Sequence, residues 1–233
     1  MNSRFSAPVH RGLLTGLLLA LVLGLSPCQK RTRAAAPPAP HPYFPIEPGA
    51  AWTLQFTHWD YPSRFEAMPL VFDREEFFRI VSAGPGPGGF TIRTEPGFAS
   101  LLFLAGLGLE PAELVQDAEG FWLKLPVRKK GDRGLLLLPA SPSAGQNWSA
   151  VAPNGIEFQC RVLSQGETYS AGTAMEVPDA LGLEMVFTFA GQSERRVLWL
   201  GRGLGPISLE AFTGDRRLDQ WRRTDLDPFI RRH

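Results

Sequence analysis

Between residues 52 and 226 hydrophobic and polar positions alternate in short runs, interrupted by glycine, proline, asparagine and aspartate. A period of two marks strands buried on one face. Runs of strand length cover 52–58, 75–83, 89–94, 113–116, 121–127, 134–138, 146–151, 156–163, 183–190, 195–200, 206–212 and 218–226. The stretch 195–212 organises the rest. It reads as two strands joined by a turn at Gly201, Gly203, Gly205 and Pro206, with Trp199 and its apolar neighbours supplying core. No amphipathic helical period and no internal repeat interrupts the series. Strands without intervening helices predict an all-β fold, an antiparallel sandwich or a strongly curved, half-barrel-like sheet of about ten strands.

Two stretches depart from this rhythm. Residues 84–89 (Gly-Pro-Gly-Pro-Gly-Gly) read as a hairpin loop. The prolines remove amide donors and no helix comes after them, so this is no phosphate cradle. Residues 98–109 are almost wholly apolar, too short to span a bilayer and too apolar for a surface loop. They read either as an element packed on the core or as the wall of an apolar groove, lined by Phe98, Leu101, Leu102, Phe103 and Leu104.

The N-terminus carries a different pattern. Residues 13–25 are thirteen nearly all apolar positions after Arg4 and Arg11, the length of a signal-peptide core. Three outcomes fit residues 25–36. Leu25-Ser26-Pro27-Cys28 resembles a lipoprotein box, with Cys28 lipidated and Pro27 in place of the usual small residue. Cleavage near Ala34-Ala35-Ala36 is the second, and an uncleaved anchor the third. The organisation expected is a signal peptide over 1–28, an Ala/Pro-rich tether over 29–42, one β domain over 43–226 and a basic tail over 227–233.

Charge changes the picture only slightly. The net of +1 is carried by five cations in residues 1–36; beyond them 19 basic residues face 23 acidic ones, a net of −4, which argues against nucleic acid as a partner. A 44% hydrophobic fraction suffices for a packed core. Once Cys28 is lipidated or removed, Cys160 has no disulfide partner, and its strand-like surroundings make it a buried structural thiol. Of four histidines only His58 falls inside the expected domain, at a strand end. No metal-ligand spacing, no Gly-x-Ser-x-Gly elbow and no strand–glycine-loop–helix unit occurs. Glu75 and Glu76 are adjacent, so on a strand they point to opposite faces. No catalytic residue, metal or cofactor is expected.

Short motifs at both ends of the domain resemble a family. Tyr43-Phe44-Pro45, Pro48-Gly49 and Trp52 resemble the opening of bacterial envelope proteins of unassigned function, the TapB-like group among them. Gly145 and Trp148 are similar to that group's Gly…Trp pair before a strand, and Ser170-Ala171-Gly172-Thr173 to its Gly-Thr element. Its closing element is resembled by Trp199 through Gly205, with Arg202 standing where proline is usual and Ala174 where phenylalanine is usual after Gly-Thr. The resemblance implies an all-β envelope domain, often lipoprotein-anchored, and carries over no catalytic residue. Two roles are expected: a noncatalytic interaction or scaffold module held at the membrane by its N-terminus, or a carrier or sensor for an apolar ligand. The partner is accordingly an envelope protein or an apolar ligand.

Overall fold

A computed structural model describes residues 41–44, 49–61, 69–86, 89–94, 113–124, 134–152, 155–171 and 175–226. The chain divides into Met1–Ala36 and Pro37–His233, and every described residue belongs to the second unit. Among them are twelve strands and no helix: β1 (Ala51–Asp60), β2 (Leu70–Gly86), β3 (Gly89–Thr94), β4 (Glu113–Gln116), β5 (Gly120–Lys124), β6 (Leu135–Pro139), β7 (Asn147–Val151), β8 (Glu157–Ala171), β9 (Met175–Phe189), β10 (Gln192–Gly201), β11 (Gly205–Thr213) and β12 (Arg216–Arg223). The all-β expectation holds, with twelve strands where about ten were expected. β2, β8 and β9 run well past their alternating segments.

The strand order is β6-β5-β4-β3-β2-β1-β12-β11-β10-β9-β8-β7, and all neighbours are antiparallel. Every strand lies beside its chain neighbours with one exception. β6 and β7 occupy the two outer positions, while the first and last strands pair in the middle, Leu54 opposite Arg223 through His58 opposite Asp219. Residues 140–146 join β6 to β7 and can span at most about 25 Å. The sheet must therefore curl until its edges approach. The Trp148 indole donates to the Leu136 carbonyl at 2.7 Å across this seam, which no backbone ladder closes among the described residues.

β2 belongs to two layers. Residues 70–79 pair with β1 and residues 80–86 with β3, with a bulge between Ile80 and Ser82. Eight strands thus form a large sheet, and β2 to β6 form a smaller one. Leu114, Phe121, Leu123, Leu135, Leu137 and Leu138 of the smaller sheet join Trp52, Leu54, Phe158, Leu183, Leu198 and Leu200 of the larger in one buried cluster. β8 shows how the sequence dictates this: Phe158, Cys160 and Val162 are buried while Glu157, Gln159 and Arg161 are exposed. Burying each large apolar side chain contributes about 1.5–3 kcal/mol, the main stabilising force in a fold without a disulfide among its described residues.

The outer face of the large sheet carries a second, smaller core. Met175, Val177, Ala180 and Ile207 are buried there, with Tyr169, Trp199, Leu204 and Leu226 packed against them. Trp199, expected to supply core, alternates with the inward Leu198 and Leu200 and so supplies this outer core and not the main one. Its ring lies on Gly182, where a Cβ would sit 2.9 Å from the indole, and 4.9 Å from the Tyr169 ring. Tyr169 pairs with Val177, and Trp199 with Gly182. A straight strand would set those two β9 positions about 16 Å apart. Bulges between Val162 and Ser164, Gln165 and Glu167, and Glu167 and Tyr169 curl the end of the β8–β9 hairpin back over the sheet. This strap lies at the lower end, with the Gly201–Gly205 turn. The β7/β8, β9/β10, β11/β12 and β1/β2 connections all lie at the upper end.

Candidate functional site

Ahead of β1, His41 to Phe44 clamp the chain onto the lower end of the domain. His41 is buried, although the sequence places it with Pro42 in the tether. Its Nε2 donates to the Pro139 carbonyl at 3.0 Å, and the Tyr43 backbone N–H donates to Nδ1 at 3.2 Å. Together these contacts require a neutral ring protonated on Nε2. The Phe121 ring meets it edge-on at 5.6 Å. The Tyr43 hydroxyl donates to Asp179 Oδ1 at 2.9 Å, Asp179 Oδ2 accepts from Arg202 Nε at 2.5 Å, and the Gly203 N–H donates to the Pro42 carbonyl at 2.6 Å. Burial pushes the Tyr43 phenol up, and the adjacent Asp179 pushes it further. This places the opening motif directly against the closing turn.

Burial holds the His41 imidazole below its ordinary value of 6.5, partly offset by the bond to Pro139. The unfolded chain therefore takes up a proton before the folded one does. Stability from this group is complete above about pH 6.5 and is lost as pH falls through the lowered folded value. The expected result is a thermal midpoint that declines in mildly acidic buffer, with a shallower decline for His41→Gln. Parallel profiles for the two proteins would remove His41 from the effect.

Among the described residues, the apolar cluster between the sheets is closely packed. A void of about 20 Å³, lined by Phe44, Leu114, Phe121, Leu137, Leu138, Leu183, Leu198 and Leu200, lies inside this cluster and has room for about one water. Near the upper end two polar groups intrude on the inner face. Arg196 is buried, pairs through Nε with Glu194, and its Nη1 makes no hydrogen bond. His58 Nδ1 lies 2.6 Å from Asp219 Oδ1. Its ring neighbours Phe56 and Phe72. A histidine–carboxylate pair is half of a general-base arrangement; among the described residues Nε2 has no hydroxyl or thiol partner. No group of three metal-ligating side chains occurs among the described residues.

A groove of about 400 Å³ crosses β7 to β9, lined by Asn147, Trp148, Ser149, Gln159, Cys160, Arg161, Glu184 and Val186. Arg161 Nη2 donates to Glu184 Oε2 at 2.9 Å on its floor. Cys160 is buried, and burial pushes its thiol well up, so the structural reading of this residue holds.

No protein-family model matches the chain, and no curated protein matches it. Two solved structures are similar to this chain over most of its length. One is a Bacteroides fragilis protein predicted to be exported and described as having a YmcC-like fold. At 10% identity it covers 78% of this chain and 96% of its own, with a TM-score of 0.38. The other is a predicted lipoprotein from Parabacteroides distasonis, at 10% identity over 79% of this chain and 98% of its own, TM-score 0.37. At these scores neither decides anything about this chain.

Cys28 and the groove residues Phe98, Leu101, Leu102, Phe103 and Leu104 lie outside the described residues, as does the tail over 227–233. Of the other singled-out residues, the fold brings Trp52 and the Trp199–Gly205 element together. It also brings His58 to Asp219, 161 residues away, a pairing without local sequence signal. The Glu194–Arg196 pair does have one: a charged i, i+2 pair on a strand shares a face.

Proposed function

We propose that this chain is a noncatalytic exported protein of the bacterial envelope, held at a membrane through Cys28 and serving as an interaction or scaffold module. One observation favours this over the carrier reading: among the described residues, the apolar cluster between the sheets leaves a void of about 20 Å³, against several hundred for a ligand pocket. The apolar segment over 13–25 and Cys28 support export and anchoring, and the opening and closing motifs support an envelope setting. The clamp at His41 and Tyr43 fixes where the tether leaves the domain.

Native and denaturing mass spectrometry of protein extracted gently from its own membranes tests this. The expected result is a mature chain beginning at Cys28 with acyl mass and no further bound molecule. Cleavage near Ala34 would overturn the anchor, and a copurifying apolar molecule would overturn the scaffold reading in favour of the carrier. Cys28→Ser is expected to release the protein into the soluble fraction.

A further inference from the structure

The described residues with large, well-exposed apolar side chains are not scattered. Val151 is 68% exposed, Phe189 55%, Leu70 56%, Val71 53% and Phe72 55%, and all five sit at the upper end of the large sheet. Leu163, at 36%, is the other. The register keeps them near one end. Val151 pairs with Glu157 and Glu157 with Thr188 beside Phe189, while Phe72, through His58, Asp219, Ala211, Arg196 and Met185, comes level with Cys160, three residues below Glu157. From β7 to β2 these hairpin tips follow the curled end of the sheet over a contour of about 33 Å at the usual strand spacing. Between the apolar tips lie aromatic rings covered by guanidinium groups: Arg195 over Phe212 at 4.2 Å, Arg216 over Tyr61 at 5.1 Å and Arg217 over Trp59 at 5.5 Å.

We infer that this row of tips rests in the interfacial layer of a lipid bilayer. Val151, Phe189 and the Leu70–Phe72 run stand at three separate turns along the rim and do not form the continuous, complementary surface that a protein partner needs. Apolar tips flanked by tryptophan, tyrosine and snorkelling arginine match the boundary between acyl chains and head groups. The acids Asp60, Asp73, Glu157, Glu194 and Asp215 stand among the arginines, so the contact is apolar in origin and insensitive to salt. The inference rests on the anchored reading above, and covalent geometry allows it. Cys28 and His41 are thirteen residues apart, a reach of up to about 45 Å, whereas the ten residues of β1 rise about 33 Å. A leaflet holding Cys28 is therefore within reach of the upper end even though the tether joins at the lower one.

The test uses the full chain reconstituted into phosphatidylethanolamine–phosphatidylglycerol vesicles containing a lipid with a spin-labelled acyl chain. Val151→Cys and Phe189→Cys carry an environment-sensitive fluorophore, with Glu176→Cys at the lower end as reference and the parent chain as labelling blank. The expected result is flotation with the vesicles, and quenching at both tips about twofold or more above that at the reference, unchanged by salt. Adding Phe72→Asp is expected to lower quenching at both tips without moving the thermal midpoint. If the chain floats but tips and reference quench alike, the tip contact is wrong and the anchor stands. A chain that does not float overturns both.

Discussion

Trp52→Ala is expected to destabilise the domain by about 3–5 kcal/mol, the usual cost of emptying a buried aromatic site. Trp52 is 2% exposed, packs against Phe44 with ring centroids 6.1 Å apart, and donates its indole N–H to the Leu204 carbonyl at 2.8 Å. Gly205 lies on the same ring. Its φ is +76°, and a Cβ there would meet Trp52 Nε1 at 2.9 Å and Cζ2 at 3.0 Å. Gly205→Ala combines a left-handed backbone with a clash, for about 2–4 kcal/mol. Gly203 has φ +68° and open space around it, so Gly203→Ala keeps only the backbone cost, about 1 kcal/mol. In a Trp52→Ala background the clash at Gly205 disappears, and its alanine variant should fall to the Gly203 value. Urea unfolding of the four proteins checks this. Additive losses would mean that the ring and the turn are not coupled.

Gly120→Ala is the second severe case. At Gly120 a Cβ would collide with the Leu138 carbonyl oxygen and stand 2.9 Å from the Ala140 nitrogen, backbone atoms of β6 and of the residue that follows it. No rotamer relieves such a contact; β6 must move. The turn cannot yield instead, because Asp117 Oδ1 accepts from the N–H groups of Glu119, at 2.8 Å, and Gly120, at 3.1 Å, and from Trp122 Nε1, at 2.9 Å. The expected loss is about 3 kcal/mol or more, which for a domain of this size lowers the melting midpoint by roughly 6–12 °C. An unchanged midpoint would mean that the β5–β6 edge yields freely.

The alternation of residues such as Phe158 with Gln159 marks a run inside each of the twelve described strands, against about ten expected, because half-buried strands write their two faces into the chain. Their ends were harder to read. β8 and β9 extend through Gly166 and Asp179, bulge positions with φ of +77° and +51°, where backbone geometry overrides the pattern. Trp199 supplies core, as expected, but the smaller outer one, because hydrophobicity alone does not tell which side of a sheet is the main core when both sides carry one. His41 looked like linker because Ala-Pro composition surrounds it, and only tertiary contacts with Pro139 and Phe121 show otherwise. The row of tips was invisible for a related reason. Val151, Phe189 and Phe72 are far apart in sequence, and each alone reads as an ordinary strand residue.

The pairing of the first strand with the last also bears on how the chain comes to be folded. The ladder joining β1 to β12 links residues some 160 positions apart, so β1 gains its second neighbour only when the C-terminus is present. A chain that emerges N-terminus first can form the local hairpins of β2 to β6 early, but the middle of the large sheet stays open until the end. Non-local pairing of this kind slows folding. On the exported reading proposed above, that delay has a use: the large sheet does not close around β1 until β12 has been made, so the chain stays open to threading until then.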